Sequence, residues 1–450
     1  MSLKEDLGRR SPHLVQNLAI SVFNTYQYRV RHGGNYQKYR EYFSKFSNAS
    51  LSEIESEQSS RLHNFLDKST SNSKWYSRFK DYKDLGDFNI LLKKDIIENL
   101  DAIATIKEKD AVVNFTGGTT GASMKVLYTK DNVQERNALL DHFRAQYGYK
   151  LGKKCAWFSG KNIITEKDLK KGICHKDDYV NRIRFFSTFH ITDANFDIYW
   201  TAFCKFAPEY IVGFPSSVYE LCAMAVSRNL KLKSKVKAFF PTAETLLPVH
   251  REVIQSVLGC KIADQYASSE GAPFILECIE GNLHIHPLTG IFEVVDDSLQ
   301  PALEGEILVT SFATEGTPLI RYRIGDRITL APKEYKCNCG SVFPVVKAIE
   351  GRSTDYISTP TNGKINYVNI TNSTKGVAGI IQFQVVQNEL ERVEVMVVGN
   401  KYFDEKQQEK FHHALTERFG KDVLISIEVV DNIPKEKSGK FRVVKNNIKS

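Results

Sequence analysis

Between residues 111 and 260 the chain repeatedly exchanges a short apolar run for a longer amphipathic one, and this alternation is the strongest constraint on its fold. Tyr210-Ile-Val-Gly-Phe and the stretches 154–159 and 236–240 offer water little polar surface. The intervening stretches 132–147, 195–206, 216–227 and 247–258 carry apolar residues at helical spacing. Strands buried on both faces require a parallel or mixed sheet with helices on either side, which predicts an α/β core.

The flanking regions differ. Residues 1–110 read as mainly helical, with helices at 14–31, from Ser52-Glu-Ile-Glu to about 67, and from Lys93-Lys-Asp-Ile-Ile-Glu-Asn. After residue 261 short strands dominate, at 274–277, 283–286, 291–295, 306–310 and 327–330, separated by Glu280-Gly-Asn, Asp296-Asp-Ser and Glu315-Gly-Thr turns. That pattern predicts an antiparallel subdomain. From 351 a new unit starts, with strands near 380–386, 392–398 and 423–430 and a helix at 404–419. The expected organisation is a multidomain α/β and α+β protein. Its large domain, 1–350, comprises a helical region (1–110), an α/β core (111–260) of mixed sheet covered by helices, and a β-rich part (261–350). A small, mobile α+β domain, 351–450, follows.

At 450 residues the chain exceeds one ordinary core. Hydrophobic residues at 42% and charged residues at 25% exclude a disordered chain. The net charge of +8 is a small excess of 61 basic over 53 acidic residues, so a basic stretch such as 231–237 reads as a solvated face and no nucleic-acid partner is expected. A mildly positive surface also suits polyanions such as ATP or CoA. No apolar run approaches the roughly 20 residues that span a bilayer, and Met-Ser-Leu-Lys-Glu-Asp lacks a signal-peptide apolar region. Eight cysteines at this length do not make a disulfide framework; a reduced, cytoplasmic protein is expected. Composition leaves the oligomeric state open.

Thr116, Gly117, Gly118, Thr119, Thr120 and Gly121 lie between two short strands, 112–115 and 125–128. Three glycines and three hydroxyls in six positions can converge backbone N–H groups and side chains on an anion such as a phosphate; the alternative is an ordinary hairpin loop. Neither Gly-x-x-x-x-Gly-Lys-Ser/Thr nor Gly-x-Gly-x-x-Gly is present. The segment resembles the phosphate loop of adenylate-forming enzymes: acyl-CoA synthetases, luciferases and peptide-synthetase adenylation domains.

Four later segments resemble that superfamily's motifs in the same order. In Tyr266-Ala-Ser-Ser-Glu270 the resemblance implies that Tyr266 stacks on adenine, Ser269 meets the α-phosphate and Glu270 holds Mg²⁺. In Tyr322-Arg-Ile-Gly-Asp326 it implies that Asp326 accepts from the ribose hydroxyls, and in Gly351-Arg-Ser-Thr-Asp-Tyr-Ile357 that Arg352 contacts the nucleotide while 353–355 form a hinge. In Pro434-Lys-Glu-Lys-Ser-Gly-Lys-Phe-Arg442 it implies that Lys440 swings in to neutralise charge as a carboxylate attacks the α-phosphate. Taken singly these segments are a strand end, a glycine turn, a linker and a solvated basic tail. Leu92-Lys-Lys-Asp-Ile, Phe189-His-Ile-Thr, Gly213-Phe-Pro-Ser-Ser and Ala243-Glu244 are similar to the phenylacetate–CoA ligase-like group, especially its CapK-like capsule-biosynthesis branch, with Glu244 on the nucleotide side. Many relatives have Pro-Lys after the phosphate loop, where this chain has Ser123-Met124, with Lys125 one position later. A one-residue shift on a strand reverses the side-chain face.

Cys278, His284 and the polar Cys337-Asn-Cys339 turn form a second constellation, whose donors suit tetrahedral Zn²⁺. His286, two residues from His284, is an alternative ligand. The other reading is buried free thiols, which suits Cys155, Cys204, Cys222 and Cys260 better.

The resemblance implies AMP-forming activation of a small-molecule carboxylic acid. Thr119 and its loop would grip the leaving group, and the acyl group would pass to CoA. Transfer to the amine of an amino-sugar acceptor in capsule or O-antigen synthesis is the alternative, and a non-catalytic ATP-binding scaffold is another. The segments 158–160, 214–216 and 239–242 are the expected acid pocket.

Overall fold

The computed structural model describes residues 11–115, 124–160, 163–352, 356–436 and 439–448. It divides into two compact units, each assembled from separated stretches: Met1–Val22, Leu151–Ile262 and Glu350–Ser450 in one, Phe23–Lys150 and Ala263–Ile349 in the other.

The first unit holds a six-stranded sheet in the order His175–Asp178, Ile183–Ser187, Cys155–Ser159, Tyr210–Gly213, Ala238–Pro241, Lys261–Ile262. Neighbours run parallel except for the edge hairpin of the first two. Residues 155–159 and 210–213 have the apolar composition that burial between helices demands, and Phe158 and Phe239 sit in the core with Tyr199, Phe203 and Ile211. Phe158 stacks on Phe186 at 4.8 Å. The helices Pro215–Ser227 and Pro248–Leu258 start on prolines, whose missing N–H costs nothing at that position, and the second ends on Gly259 in the left-handed conformation. The edge hairpin escaped the sequence reading because His-Lys-Asp-Asp carries no apolar alternation, although Lys176, Asp177 and Asp178 are buried.

Residues 380–446 of this unit add a four-stranded sheet in the order Leu424–Val429, Arg392–Gly399, Ile380–Glu389, Val444–Asn446. The helix Glu405–Phe419 starts on Asp404, whose carboxylate accepts from Gln407 N at 2.9 Å. Its Phe411, Leu415 and Phe419, four residues apart, bury one face in this region's core.

In the second unit a seven-stranded sheet follows the order Gly290–Val295, Glu304–Ser311, Leu319–Leu330, Val345–Arg352, Leu283–Ile285, Ile275–Glu277, Gln265–Tyr266. The antiparallel pairing expected after residue 261 is present. The helix expected from Ser52 is capped two residues earlier: Ser50 N donates to Glu53 at 2.8 Å and Glu53 N to the Ser50 hydroxyl at 3.4 Å, and the helix runs Leu51–Asn72. A helix at Tyr36–Phe46 was not expected; its inner face is aromatic, and aromatic side chains favour strands as readily as helices. Among the described residues no helix is long and apolar enough to cross a membrane.

Candidate active site

The strands Val112–Phe115 and Lys125–Tyr128 form where the sequence placed them, antiparallel, with Phe115 opposite Lys125. Thr116, Gly117, Gly118, Thr119, Thr120 and Gly121 lie outside the described residues, as do 353–355; Arg352 ends the strand Val345–Arg352. Lys125 pairs with Glu108 at 2.8 Å.

Both flanks of the glycine-rich segment grip the turn that carries Ser269 and Glu270. The Tyr128 hydroxyl donates to the Ser269 carbonyl at 3.0 Å, and Asn114 Nδ2 donates to the same oxygen at 3.2 Å. Arg136 Nη1 donates to the carbonyls of Gly271 and Ala272 at 2.9 and 3.0 Å, and its guanidinium lies 4.4 Å from the Phe274 ring centre. The Ser268 hydroxyl accepts the amides of Gly271 and Ala272 at 3.2 and 3.0 Å. Gly271 itself, at φ 105°, has no room for a side chain: a Cβ would stand 2.5 Å from Thr314 Cγ2 and 2.6 Å from the Tyr128 hydroxyl. Burial raises the Tyr128 phenol to about 12, with the charge of Glu270 adding to the shift, so this hydroxyl stays a proton donor.

Asp326 reaches its place through a bulge. Glu306 pairs with Arg327 and Leu308 with Arg323, so Ile324, Gly325 and Asp326 oppose Ile307 alone. Asp326 Oδ2 accepts from the Tyr266 hydroxyl at 2.6 Å. Two residues sixty positions apart, singled out for adenine and ribose, thus share one short hydrogen bond. In this unit the structure brings Tyr266 and Asp326 together and builds the Ser269–Glu270 turn from the flanks of the glycine-rich segment.

Glu244 and Lys440 belong to the first unit. Glu244 accepts from Ser216 N at 3.2 Å and from Phe441 N at 2.9 Å, so it ties the residue after Lys440 to the start of the helix Pro215–Ser227. Enclosure raises its pKa above the usual carboxylate range. Gly439, at φ 76°, lies against Gly160, with a Cβ position only 2.4 Å from Gly160 Cα. Glu436 N donates to the Lys440 carbonyl at 3.0 Å. The tail therefore runs over the carboxyl ends of the parallel strands, the place where α/β sheets bind ligands.

The sequence reading missed Lys435. Its ammonium, with a side chain 8% exposed, donates to Glu220 at 3.0 Å, the Thr188 carbonyl at 2.8 Å and the Ser217 hydroxyl at 3.2 Å. Gln382 donates to the other Glu220 oxygen. Burial raises Glu220 to about 7, and Lys435 holds it below what burial alone would impose. The available signal was that the tail carries lysines at 435, 437 and 440 and the family motif assigns only the last.

The cysteine constellation closes around one point. Ligand atoms of Cys278, His284, Cys337 and Cys339 all lie within 4.8 Å of one another. Cys278 and Cys337 sulfurs are 3.7 Å apart, and Cys339 Sγ is 3.5 Å from His284 Nε2. A tetrahedral zinc with ordinary bond lengths separates two sulfurs by about 3.8 Å and sulfur from nitrogen by about 3.6 Å. His284 Nδ1 donates to the Phe343 carbonyl at 3.0 Å, which leaves Nε2 as its ligand atom. Asn282 Nδ2 donates to Cys337 Sγ at 3.3 Å. Burial opposes ionisation of Cys337, but the Cys339 amide and the neighbouring thiols outweigh it, and the pKa falls below the ordinary thiol value. His286 stands outside this group, its ring edge-on to Phe43 and Phe343. Cys155, Cys222 and Cys260 are buried free thiols, and Cys204 is half-buried.

The fold matches solved structures of one class. A 2-hydroxyisobutyryl-CoA ligase in its postadenylation state superposes with a TM-score of 0.71 over 90% of this chain and 92% of that one, at 16% identity. The GH3.15 acyl acid amido synthetase does so with a TM-score of 0.60 over 88% and 89%, at 13% identity. The fold is that of the adenylate-forming ligases, a class whose solved members include CoA ligases and acyl amido synthetases. Within that class the chain belongs to the CapK family. It is 31% identical to Protein CapK of Staphylococcus aureus over 455 residues, 98% of both chains, and residues 357–447 match the CapK C-terminal domain. Half of the chain is also 25% identical, over 231 residues, to an indoleacetate–lysine synthetase of Pseudomonas savastanoi.

Proposed function

We propose that the protein activates a carboxylic acid with ATP and passes the acyl group to CoA. The observation that carries this reading is the pairing of the motif residues: Tyr266 with Asp326, and the Ser269 carbonyl with both flanks of the glycine-rich segment. Tyr266 and Asp326 would take the adenosine, Thr116–Gly121 the phosphates and Arg352 the nucleotide's far side. A carboxylate oxygen attacks the α-phosphorus, the bond to the bridging oxygen breaks, and pyrophosphate leaves. Lys440 neutralises charge at that phosphorus. The thiolate of CoA then attacks the acyl carbon and AMP leaves, the segment 351–450 moving as a domain between the two steps. Glu270 would hold Mg²⁺, which supplies countercharge for the leaving group. Cys278, His284, Cys337 and Cys339 would hold a structural Zn²⁺, because four protein ligands leave no open position.

Transfer to an amine, such as an amino sugar of a capsule or O-antigen precursor, is the second reading, and the similarity to an indoleacetate–lysine synthetase favours it. The experiment is a panel of carboxylic acids incubated with ATP and with either CoA or amino sugars. A thioester product supports the first reading, an amide the second. AMP release with neither product overturns both acceptors, and binding of ATP without any turnover identifies a scaffold.

A further inference from the structure

The N-terminal helix His13–His32 is inside out. Asn17 and Ser21 are its buried residues, at 0% and 3% exposure. They are spent on the edge strand of the first unit: Asp177 N donates to Asn17 Oδ1 at 3.1 Å, Tyr179 N to the Ser21 hydroxyl at 3.0 Å, and Asn17 Nδ2 to the Tyr179 hydroxyl at 3.0 Å. His13 Nε2 lies 3.0 Å from the His175 carbonyl on the same strand. The face turned outward is the apolar one. Leu14, Leu18, Val22 and Tyr26, each four residues on, are 60%, 51%, 73% and 64% exposed, and Val15 and Phe23 flank them. Tyr179 and Val180, in the turn against this helix, are also exposed. A soluble surface helix places its apolar stripe toward the core; a contiguous outward stripe marks an interaction surface.

Charge identifies the occupant. From Leu7 to Arg40 the sequence has not one acidic residue, and on the helix itself Arg29 and Arg31 are cationic and exposed. A second copy of the chain on this stripe would bring two such cationic stretches together. An anionic bilayer surface complements them and takes up apolar side chains to the depth of its headgroup boundary. We infer that the helix His13–His32 lies flat on anionic lipid and holds the enzyme at a membrane surface without crossing it.

The test is co-sedimentation of the full chain with phosphatidylcholine vesicles and with vesicles containing about 30% phosphatidylglycerol. Binding to the anionic vesicles alone is expected, weakening severalfold between about 0.1 M and about 0.5 M salt. The triple substitution Leu14→Gln, Leu18→Gln, Val22→Gln should reduce binding at least about tenfold with unchanged circular dichroism. Arg29→Gln with Arg31→Gln, which leaves the stripe intact, should weaken it severalfold and flatten the salt dependence. Protein that stays in the supernatant, equal binding to neutral vesicles, or full binding by the triple variant overturns the inference. So does a dimer in sedimentation velocity that the triple variant dissolves, because the stripe then belongs to a second copy.

Discussion

The two regions that carry the candidate site residues, one in each unit, are held in different ways. Around Tyr266, Ser269, Glu270 and Asp326 the braces are backbone carbonyls, hydroxyls and one buried guanidinium, arranged on a turn and a bulge. Around Lys440 the tail is held by buried charge, Lys435 on Glu220 and the Phe441 amide on Glu244. Carbonyls and hydroxyls do not titrate in the working pH range, so that bracing would suit the proposed nucleotide pocket, ready before substrate arrives. A buried ion pair offsets desolvation with attraction, so the loss of one partner leaves the other charge uncompensated.

That contrast can be broken most directly at Lys440. Lys440→Ala should slow acyl-adenylate formation by roughly two to three orders of magnitude, because the ammonium contributes where charge develops at phosphorus. In single turnover from pre-made acyl-adenylate the same variant should still transfer the acyl group. Equal losses in both arms would make Lys440 structural.

Lys435→Ala tests the buried charge itself. Removing one partner of a buried pair leaves the other uncompensated, a loss on the order of 3 kcal/mol in denaturant unfolding. The sign with pH follows from Glu220. Its pKa is raised by burial to about 7, so the folded state holds the proton more tightly than the unfolded state, and ionisation is what costs stability as pH rises. Without Lys435 the pKa rises further and the cost keeps growing. Wild type and variant should differ little near pH 5 and diverge above about pH 7. A pH-independent difference would remove Glu220 from the explanation.

The Tyr266–Asp326 contact should respond more mildly. Asp326→Ala removes the acceptor of the Tyr266 hydroxyl and, in the proposed role, that of the ribose, so ATP binding should weaken by on the order of 1–3 kcal/mol with the fold retained. Unchanged ATP affinity would show that the Tyr266–Asp326 contact is only architectural. The smallest effect on the chemistry is expected at the cysteine cluster. Protein purified without added metal should contain about one zinc per chain, and Cys337→Ser should lower the unfolding temperature by roughly 5–10 °C. Metal-free protein with the same unfolding temperature would leave the cluster as free thiols.

The strands that flank the glycine-rich segment and the grouping of Cys278, His284, Cys337 and Cys339 were legible in the sequence, because local chemistry writes them. The Lys435–Glu220 pair was not. Lys435 and Glu220 are 215 residues apart, and in composition each is an ordinary surface residue. Only the docking of the tail against the helix Pro215–Ser227 makes them a pair. The same limit hid the edge hairpin His175–Ser187 and the inverted N-terminal helix: 14–31 has the amphipathic pattern of a helix, and the pattern alone does not say which face is covered.

Acid-dependent exchange of labelled pyrophosphate into ATP, run without CoA or amine, isolates the adenylation step from everything that follows it. Exchange that appears with at least one carboxylic acid, vanishes without acid and falls in Lys440→Ala is the expected result. A protein that binds ATP but exchanges no pyrophosphate with any acid, or that exchanges equally well with alanine at position 440, would contradict the assignment of this site to acid activation.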